Sequence, residues 1–382
     1  MYVSRLSLTD FRSYEGVEVE LASGISAFVG PNGQGKTNLM EAIDFVASQS
    51  SHRVSSDQPL VRAGATQAVV RTTVCRGDRE ALLELEINPG RSNRARLNRS
   101  PLPKVREALG ILRCVLFSPD DLALVKGDPA ERRRFLDDLL VSRQPRFAGV
   151  RSHYERVLRQ RNSLLRSAGG RGPVRRSESA LATLGVWDAH LAKAGAELLA
   201  ARLALVDDLR PYLARHYESV AEGLVKPAGG NVASATYQAS WQLPSEVRDR
   251  DSLTELMLAE IARRRDDELD RAVTLVGPHR DELVLVLGDL PARGYASHGE
   301  AWSMALALRL ASFELLRADG DDPVLILDDV FSELDDLRRH RLAGVAATAE
   351  QVLVTAAVPA DIPDGVVRRR YDVFGGTVTA HG

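Results

Sequence analysis

Residues 30–37 carry the clearest chemistry in the sequence, because they match the pattern GxxxxGK[ST] of phosphate-binding loops. In that pattern the glycines let backbone N–H groups point inward and surround phosphates at the N-terminus of a helix. Lys36 is expected to reach the β- and γ-phosphates of ATP, and the Thr37 hydroxyl to bind Mg²⁺. The candidate ATP-binding residues of the loop are Gly30, Pro31, Asn32, Gly33, Gln34, Gly35, Lys36 and Thr37.

The neighbours of this loop favour a nucleotide site over a chance glycine turn. An apolar run at 25–29 precedes it, as expected for a buried strand, and a helix-like segment at 38–48 follows it.

A second component of such a site, a carboxylate at the end of a neighbouring strand, is supplied by Asp328 and Asp329. They follow the aliphatic run 324–327, which has the composition of a buried strand. Asp328 is expected to hold Mg²⁺ directly or through water, and Asp329 to orient the attacking water. The predicted catalytic set is therefore Lys36, Asp328 and Asp329. A strand that ends in a solvated acidic turn is the alternative interpretation.

The separation between the two halves of this site is long, since Asp328 lies 291 positions after Thr37 in the sequence. A long insertion must therefore interrupt the domain that carries both. Ser297 and Gly299 lie about 30 residues before the carboxylates, at the start of a helical segment. A hydroxyl and a helix N-terminus together can bind a phosphate. Alone, this triplet is explained as well by a simple helix cap, but its position favours a phosphate contact.

The elements that must position these residues follow from hydropathy patterns. Alternation of apolar and polar residues predicts strands at 17–21 and 83–87. Short aliphatic runs predict further strands at 284–287 and 352–355.

The middle of the chain has the periodicity of helices instead. Apolar residues recur at helical spacing, and the glycine- and proline-rich segments 169–173 and 227–231 predict loops. We therefore predict one α/β domain, formed by 1–120 and 275–382 and split by a helical insertion at 121–274.

Composition limits the class of protein. No apolar run reaches the roughly 18–20 residues of a membrane span, and the first residues lack the pattern of a signal peptide. We therefore expect a cytoplasmic protein with no membrane partner. The two cysteines, Cys75 and Cys114, form no CxxC pair, which argues against a zinc or disulfide framework.

The charge is unevenly distributed although the net charge is only −2. Between residues 131 and 176 there are thirteen arginines and four acids. Such an excess fits neutralisation of DNA phosphates along a groove. From charge alone, a solvated helical face or internal arginine–carboxylate pairs explain it equally well.

Three further segments, DFRSY at 10–14, FSPDDL at 117–122 and TLVGPHRD at 274–281, accompany the loop and the carboxylate strand. Taken together and in order, these segments resemble the ABC-type ATPases of chromosome maintenance and repair, in particular the RecF family. DFRSY at 10–14 is similar to the FRNY element of the family, and FSPDDL at 117–122 to its central signature. TLVGPHRD at 274–281 is similar to its GPHRDD segment. The resemblance covers nearly the whole chain. It implies an ABC-type ATPase head with a mixed sheet, split in sequence by a mainly helical, arginine-rich lobe.

The same resemblance assigns roles to single residues. Ser297 and Gly299 would belong to the signature motif, which contacts the γ-phosphate held by a second subunit. Thr355 would occupy the switch position, and Arg12 would approach the nucleotide from its adenine or phosphate side. Two features depart from the family pattern: position 300 is Glu where the family often has Gln, and 117–121 contains no Gln.

The function implied is that of a DNA-repair protein in recombinational repair, replication restart and the SOS response. ATP and Mg²⁺ would drive formation of a homodimer that clamps duplex or gapped DNA without sequence preference. Weak, DNA-stimulated hydrolysis would then release the DNA, and RecR- and RecO-like mediators would be the partners.

Three other interpretations of these motifs exist. A transporter ATPase subunit has a much shorter segment between its P-loop and its carboxylate strand. A long-armed SMC protein has arms of hundreds of residues, whereas this insertion has about 150. A nucleotide-switched clamp with very slow hydrolysis is compatible with the main hypothesis and stays open.

Overall fold

The computed structural model describes residues 1–168, 178–221, 232–363 and 365–381. The predicted loops at 169–173 and 227–231 lie outside these residues. The strands are β1 Tyr2–Phe11, β2 Tyr14–Glu20, β3 Gly24–Val29, β4 Ala68–Arg76, β5 Arg79–Ile87, β6 Arg94–Leu97, β7 Ser100–Pro101, β8 Cys114–Phe117, β9 Ala233–Gln238, β10 Glu282–Leu287, β11 Leu290–Pro291, β12 Val324–Asp328, β13 Gln351–Ala356, β14 Arg369–Phe374 and β15 Thr377–His381. The helices are α1 Lys36–Ser48, α2 Leu122–Lys126, α3 Pro129–Arg143, α4 Arg146–Ala168, α5 Glu178–Ala221, α6 Arg250–Arg263, α7 Arg265–Arg271, α8 Ala292–Tyr295, α9 His298–Ala318 and α10 Asp336–Ala346.

A mixed six-stranded sheet, ordered β15-β14-β3-β13-β12-β8, contains the strands that lead to the predicted site. β3, β12 and β13 are parallel, and every residue of β12 and β13 is buried. Continuous aliphatic sequence suits strands that are covered on both faces. The parallel arrangement brings the carboxyl ends of β3, β12 and β13 to one edge of the sheet.

A second six-stranded sheet, ordered β2-β1-β4-β5-β6-β7, is antiparallel. Its strands alternate between buried and exposed residues, because one face packs on the core and the other faces solvent. Helix α1 lies in that core: Leu39, Ile43 and Val46 are buried together with residues of both sheets. The apolar face of α1 thus fixes the helix that follows the phosphate-binding loop.

The middle of the chain contains α3 to α7 and a small antiparallel sheet, ordered β11-β10-β9. The helical periodicity predicted for the middle of the chain is present in α5, which contains Trp187, Leu191, Ala194 and Leu198. The predicted mixed α/β architecture, with a mainly helical region between strand segments, is confirmed. No helix in the described part of the chain combines the length and apolarity that crossing a membrane requires.

The chain divides into two compact units. Unit 1 comprises Met1–Val125, Tyr212–Lys226 and Ser297–Gly382, and unit 2 comprises Lys126–Pro211 and Pro227–Ala296. Unit 1 holds both six-stranded sheets. The domain boundaries derived from sequence, at 120/121 and 274/275, stay a prediction.

Candidate ATP-binding site

The phosphate-binding loop joins the end of β3 to the start of α1, as predicted. Gly33 and Gly35 have positive φ angles of 81° and 104°, a region that L-residues with side chains rarely adopt. Gly30 is needed for a different reason. A Cβ atom there would lie 2.1 Å from the carbonyl oxygen of Val373 in β14, so a side chain would push the loop away from its neighbouring strand.

Lys36 is held inside the loop that contains it. Its Nζ donates hydrogen bonds to the carbonyl oxygens of Gly30 at 2.7 Å and Pro31 at 3.2 Å, and to the side-chain oxygen of Asn32 at 3.2 Å. The ammonium group is thus placed within the curve of the loop by neutral acceptors. Among the described residues no carboxylate pairs with this ammonium, so an anionic ligand in the loop would meet a full positive charge.

The two distant halves of the predicted site meet at Asp328. Thr37 Oγ1 donates a hydrogen bond to Asp328 Oδ1 at 3.2 Å, and Thr355 Oγ1 donates to the same oxygen at 2.6 Å. The β12–β13 register places Asp328 beside Thr355, and the backbone N–H of Asp329 donates to Thr355 Oγ1 at 2.8 Å. Asp329 itself has a φ of 53°, so the chain turns sharply where the strand ends.

The carboxyl group of Asp328 is electrostatically unusual. Burial raises its pKa above the ordinary value, and the neighbouring charge of Asp329 acts in the same direction, while the bonds from Thr355 and Thr37 oppose the shift. A buried carboxylate with incomplete compensation is a good ligand for a cation.

The donor set fits Mg²⁺. Hydroxyl and carboxylate oxygens are the hard ligands that this ion prefers. The 3.2 Å between Thr37 Oγ1 and Asp328 Oδ1 is close to the spacing of two adjacent ligands in an octahedron with bonds of about 2.1 Å, which is about 3 Å.

The remaining predicted residues lie elsewhere. Arg12 donates to the buried Glu41 of α1, with its Nε at 2.8 Å, and to the carbonyl oxygen of Pro59 at 2.9 Å. Arg53 reaches the same Glu41 at 3.1 Å. Arg12 is therefore anchored to α1 rather than directed freely at a ligand, and its contact with nucleotide stays a prediction.

Ser297 is the N-cap of α9. Its Oγ accepts from the backbone N–H of Glu300 at 3.3 Å, and the Glu300 carboxylate accepts from the N–H of Ser297 at 2.8 Å. Gly299 lies in the first turn of the same helix. Within the described residues, Ser297 and Gly299 share no hydrogen bond with the set around Asp328.

Two contacts of the loop were not predicted from sequence. The side-chain oxygen of Gln34 accepts a hydrogen bond from the N–H of Gly375 at 2.9 Å, so the β14–β15 turn is tied to the loop. Tyr14 Oη donates to the carbonyl oxygen of Gly35 at 3.2 Å. The Gly375-Gly376 pair indicates a turn in the sequence, but nothing in the sequence indicates that this turn contacts Gln34.

The segment that lacks a glutamine, 117–121, ends in a structural carboxylate. Asp121 accepts from the N–H of Ser118 at 3.0 Å and pairs with Arg309. Because Asp121 is engaged by these two contacts, it does not replace the missing glutamine in this arrangement.

The arginine-rich stretch separates into two groups. Most of its described arginines have partners inside the protein. Arg161 is fully buried between Asp188 and Glu268, and Arg132 pairs with Glu282 at 2.7 Å. Arg171, Arg175 and Arg176 lie outside the described residues. Internal pairing therefore explains part of the charge excess.

The chain is similar to known proteins over nearly its whole length. The RecF/RecN/SMC N terminal domain family matches residues 2–364. The chain is 58% identical to the DNA replication and repair protein RecF of Nocardioides sp., with 99% of each chain covered. Among solved structures, the recombination mediator protein RecF-ATP in the RecFOR pathway matches with a TM-score of 0.88 and 26% identity, covering 100% of this chain and 98% of that one.

A Smc head domain from Pyrococcus furiosus, bound to the C-terminal domain of ScpA, shares the fold, with a TM-score of 0.54, 19% identity and coverage of 100% of this chain and 96% of that one. Together with the RecF-ATP structure, this match confirms the mixed α/β head architecture expected from the motifs. With a phosphate-binding loop and a distant carboxylate strand joined in one site, the chain belongs to the RecF family of the RecF/RecN/SMC ATPases.

Proposed function

We propose that this chain is a RecF-type ATPase of DNA repair, which binds ATP and Mg²⁺ in the loop 30–37 and uses them to close a DNA-binding homodimer. One observation carries the proposal: the hydroxyls of Thr37 and Thr355 both donate to Oδ1 of Asp328. Thr37 and Asp328 meet there although they lie 291 positions apart in the sequence. The names of the relatives support the repair role.

In this proposal the chain's own residues bind and orient the reactants. The inward N–H groups of the loop and the ammonium of Lys36 would hold the β- and γ-phosphates. Thr37 and Asp328 would hold Mg²⁺, which neutralises phosphate charge when bound. Asp329 would orient a water molecule for attack on the γ-phosphorus, giving ADP and phosphate. Thr355 would keep Asp328 in position through its 2.6 Å hydrogen bond.

The second subunit would contribute Ser297 and Gly299. The Ser297 hydroxyl uses an oxygen lone pair to accept from Glu300, so its own proton is available for a γ-phosphate oxygen. The N-terminus of α9, a helix of 21 residues, adds a favourable dipole for the anion. ATP would thus be bound between two protomers.

The closed dimer would clamp duplex or gapped DNA through its phosphates, without sequence preference. Slow hydrolysis, stimulated by DNA, would reopen it. RecR- and RecO-like mediators are the proposed partners, and loading of a recombinase at single-strand gaps in the cytoplasm is the proposed outcome. Damage-induced SOS conditions and replication restart are the expected settings.

Sedimentation with and without ATP and a gapped duplex tests the proposal. The wild-type protein should dimerise with ATP and bind the DNA. Lys36→Met should lose both, because productive nucleotide binding is lost. Ser297→Ala should still bind ATP as a monomer but fail to dimerise, whereas the control Ser245→Ala, at an exposed serine of unit 2, should behave like wild type. Normal ATP-dependent dimerisation of Ser297→Ala would rule out its role across the interface.

A further inference from the structure

The outward face of α4 is a continuous row of hydrogen-bond donors. We call it the α4 stripe; it consists of the exposed residues Ser152, His153, Arg156, Arg159, Gln160, Ser163, Arg166 and Ser167. With 3.6 residues per turn, these positions fall in one sector of about 140° around the helix axis. The stripe contains no acid and no apolar residue. Glu155, the one acid of α4, lies at the edge of this sector and pairs with Arg151 at 3.0 Å.

The arginines of the stripe differ from their neighbours in how they are paired. The other described arginines of the 131–176 stretch bond to protein groups, mostly carboxylates. They are Arg132, Arg133, Arg134, Arg143, Arg146, Arg151 and Arg161.

Within the described residues, Arg156, Arg159 and Arg166 have no carboxylate partner. Arg156 Nη2 lies 2.9 Å from Nδ1 of His153, an acceptor that leaves the guanidinium charge uncompensated. The paired arginines hold unit 2 together, and these three are available to an external anion.

The spacing of the three guanidinium groups favours an extended anion over a small one. Arg156 and Arg166 are ten residues apart on one helix, so their Cα atoms are separated by about 15 Å along its axis. A DNA strand carries one phosphate per roughly 3.4 Å of helix axis, so a row of this length can meet several of them. Serine and glutamine side chains, which fill the gaps in the row, are common phosphate contacts.

The composition of the stripe disfavours the other classes of partner. A stable protein interface needs an apolar core, and a membrane-bound helix needs apolar anchors. The stripe has neither. It also lacks aromatic residues on which bases could stack, so contact with the nucleic-acid backbone is favoured over contact with unpaired bases.

We propose that the α4 stripe binds the sugar–phosphate backbone of duplex DNA, with Arg156, Arg159 and Arg166 as its charged contacts. The assignment rests on the proposed function, in which the protein binds DNA, and adds the surface that does so. The three arginines neutralise phosphates, and the neutral donors between them fix the register of the strand on the helix.

The first test is the salt dependence of binding. Fluorescence anisotropy with a labelled duplex, with ATP present, gives the dissociation constant from about 50 to 200 mM salt. For R156Q/R159Q/R166Q, three lost phosphate contacts should reduce the slope of log K against log salt by about 2.7, and weaken binding on the order of 100-fold at about 0.1 M salt. The triple Lys variant should retain most of the affinity, because a phosphate accepts either cation.

The matched control is R248Q/R250Q/R263Q, which removes the same charge from unit 2 at exposed arginines that are ion-paired. It should keep the wild-type slope. An equal loss of slope in both triple variants would mean that only the net charge of the unit matters, and would overturn the assignment to α4.

The second test places a probe within the stripe. Both native cysteines, Cys75 and Cys114, are buried, so Ser163→Cys can be labelled selectively with a photo-crosslinker. Irradiation should link this position to duplex DNA, and an identical label at Ser245→Cys, exposed elsewhere in unit 2, should not form the link.

The outcomes separate this assignment from the proposed function. Wild-type affinity and slope in R156Q/R159Q/R166Q would overturn the α4 assignment and leave DNA binding intact. Normal DNA binding with lost ATP-dependent dimerisation in that variant would identify a protein contact instead, and would also overturn it. A wild-type protein that bound no DNA would contradict the proposed function itself, and the stripe assignment with it.

Discussion

At the scale of single residues, the buried carboxyl group of Asp328 lowers the stability of the folded protein when it is ionised. The carboxyl group is 4% exposed and lies beside a second acid, and its pKa is raised by burial. A group whose folded pKa exceeds its unfolded pKa lowers the free energy of unfolding as pH rises from the unfolded value through the folded value. The ionised form of Asp328 is thus maintained at the expense of stability, which is reasonable for a cation ligand.

We therefore predict that Asp328→Asn stabilises the nucleotide-free protein near pH 7 while it abolishes Mg²⁺-dependent hydrolysis. The gain should appear as a rise in Tm at neutral pH. The difference from wild type should shrink as pH falls, because the wild-type carboxyl then becomes protonated. Thermal melts at several pH values check this, with Asp289→Asn, an exposed carboxylate, as the control. An equal or lower Tm for Asp328→Asn would contradict the electrostatic argument.

Glu300 gives a second prediction at this scale. Its carboxylate caps the N-terminus of α9 beside Ser297, so a negative charge lies where the partner's γ-phosphate is proposed to bind. Glu300→Gln keeps an oxygen that can accept from the Ser297 N–H but removes the charge. We expect ATP-dependent dimerisation to strengthen by roughly three- to tenfold, since one like-charge contact is typically worth about 1 kcal/mol. Sedimentation at graded protein concentrations measures it, and weaker dimerisation would show that the charge has a supporting role.

Much of the ATP site can be predicted from local sequence, because most of its parts are adjacent in the chain. A strand, a glycine loop and a helix start are adjacent in the chain, and the aliphatic run before Asp328 required a buried strand. Parallel strands then bring Thr37 and Asp328 to one edge. The burial of Arg161 could not be predicted this way, because Asp188 and Glu268 are far from it in sequence and any of several acids could have paired with it.

At the scale of elements, the segment between α7 and β10 is held by a buried hydrogen-bond chain. His279 Nε2 lies 3.2 Å from the carbonyl oxygen of Thr274, which can only accept, so Nε2 carries the proton and Nδ1 accepts from Tyr154 Oη at 2.6 Å. Gly277 makes room for this contact: a Cβ there would lie 2.6 Å from the Tyr154 hydroxyl oxygen. The chain ties α4 to the segment before β10.

This arrangement predicts acid sensitivity. Burial lowers the pKa of His279 to about 4, whereas the unfolded chain titrates near the ordinary value of 6.5. Between these values the unfolded state binds a proton that the folded state does not, so stability should fall as pH falls from 6.5 to 4, by up to about 1.4 kcal/mol per pH unit. Urea unfolding from pH 7.5 to 4.5 measures the slope.

His279→Gln should be less stable at pH 7.5, because the hydrogen bond from Tyr154 is altered, but should lose less on acidification. His190→Gln, at an exposed histidine, should keep the wild-type slope. The same acid slope in His279→Gln and wild type would assign the sensitivity to another group, of which His216, with a pKa lowered to about 4, is the first to examine.

At the scale of the whole molecule, the two units are interleaved in sequence, since the chain passes between them at 125/126, 211/212, 226/227 and 296/297. The loop 30–37 and Asp328 both belong to unit 1. A ligand that binds the folded state stabilises the part of the protein that it needs in order to bind.

If the two units unfold in separate calorimetric transitions, we predict that a non-hydrolysable ATP analogue with Mg²⁺ raises the temperature of the unit 1 transition more than that of unit 2. At about 100 times its Kd, the analogue should contribute about 2.7 kcal/mol to unit 1, or roughly 5–10 °C. Lys36→Met should abolish the shift. The measurement is made at low protein concentration, so that dimerisation contributes little to it. One transition that moves as a whole would indicate that the units unfold together.

The pairing of β3 has a consequence for the time course of synthesis. Both neighbours of β3 in its sheet, β13 and β14, come from the end of the chain, as does Asp328, which follows Thr37 by 291 residues. At about 5–20 residues per second, a ribosome needs roughly 15–60 s to make that interval. During this interval, β3 is present on the nascent polypeptide without its neighbouring strands β13 and β14. The nascent chain is therefore expected to be prone to aggregation during this interval, and slower elongation at this stage lengthens the exposure.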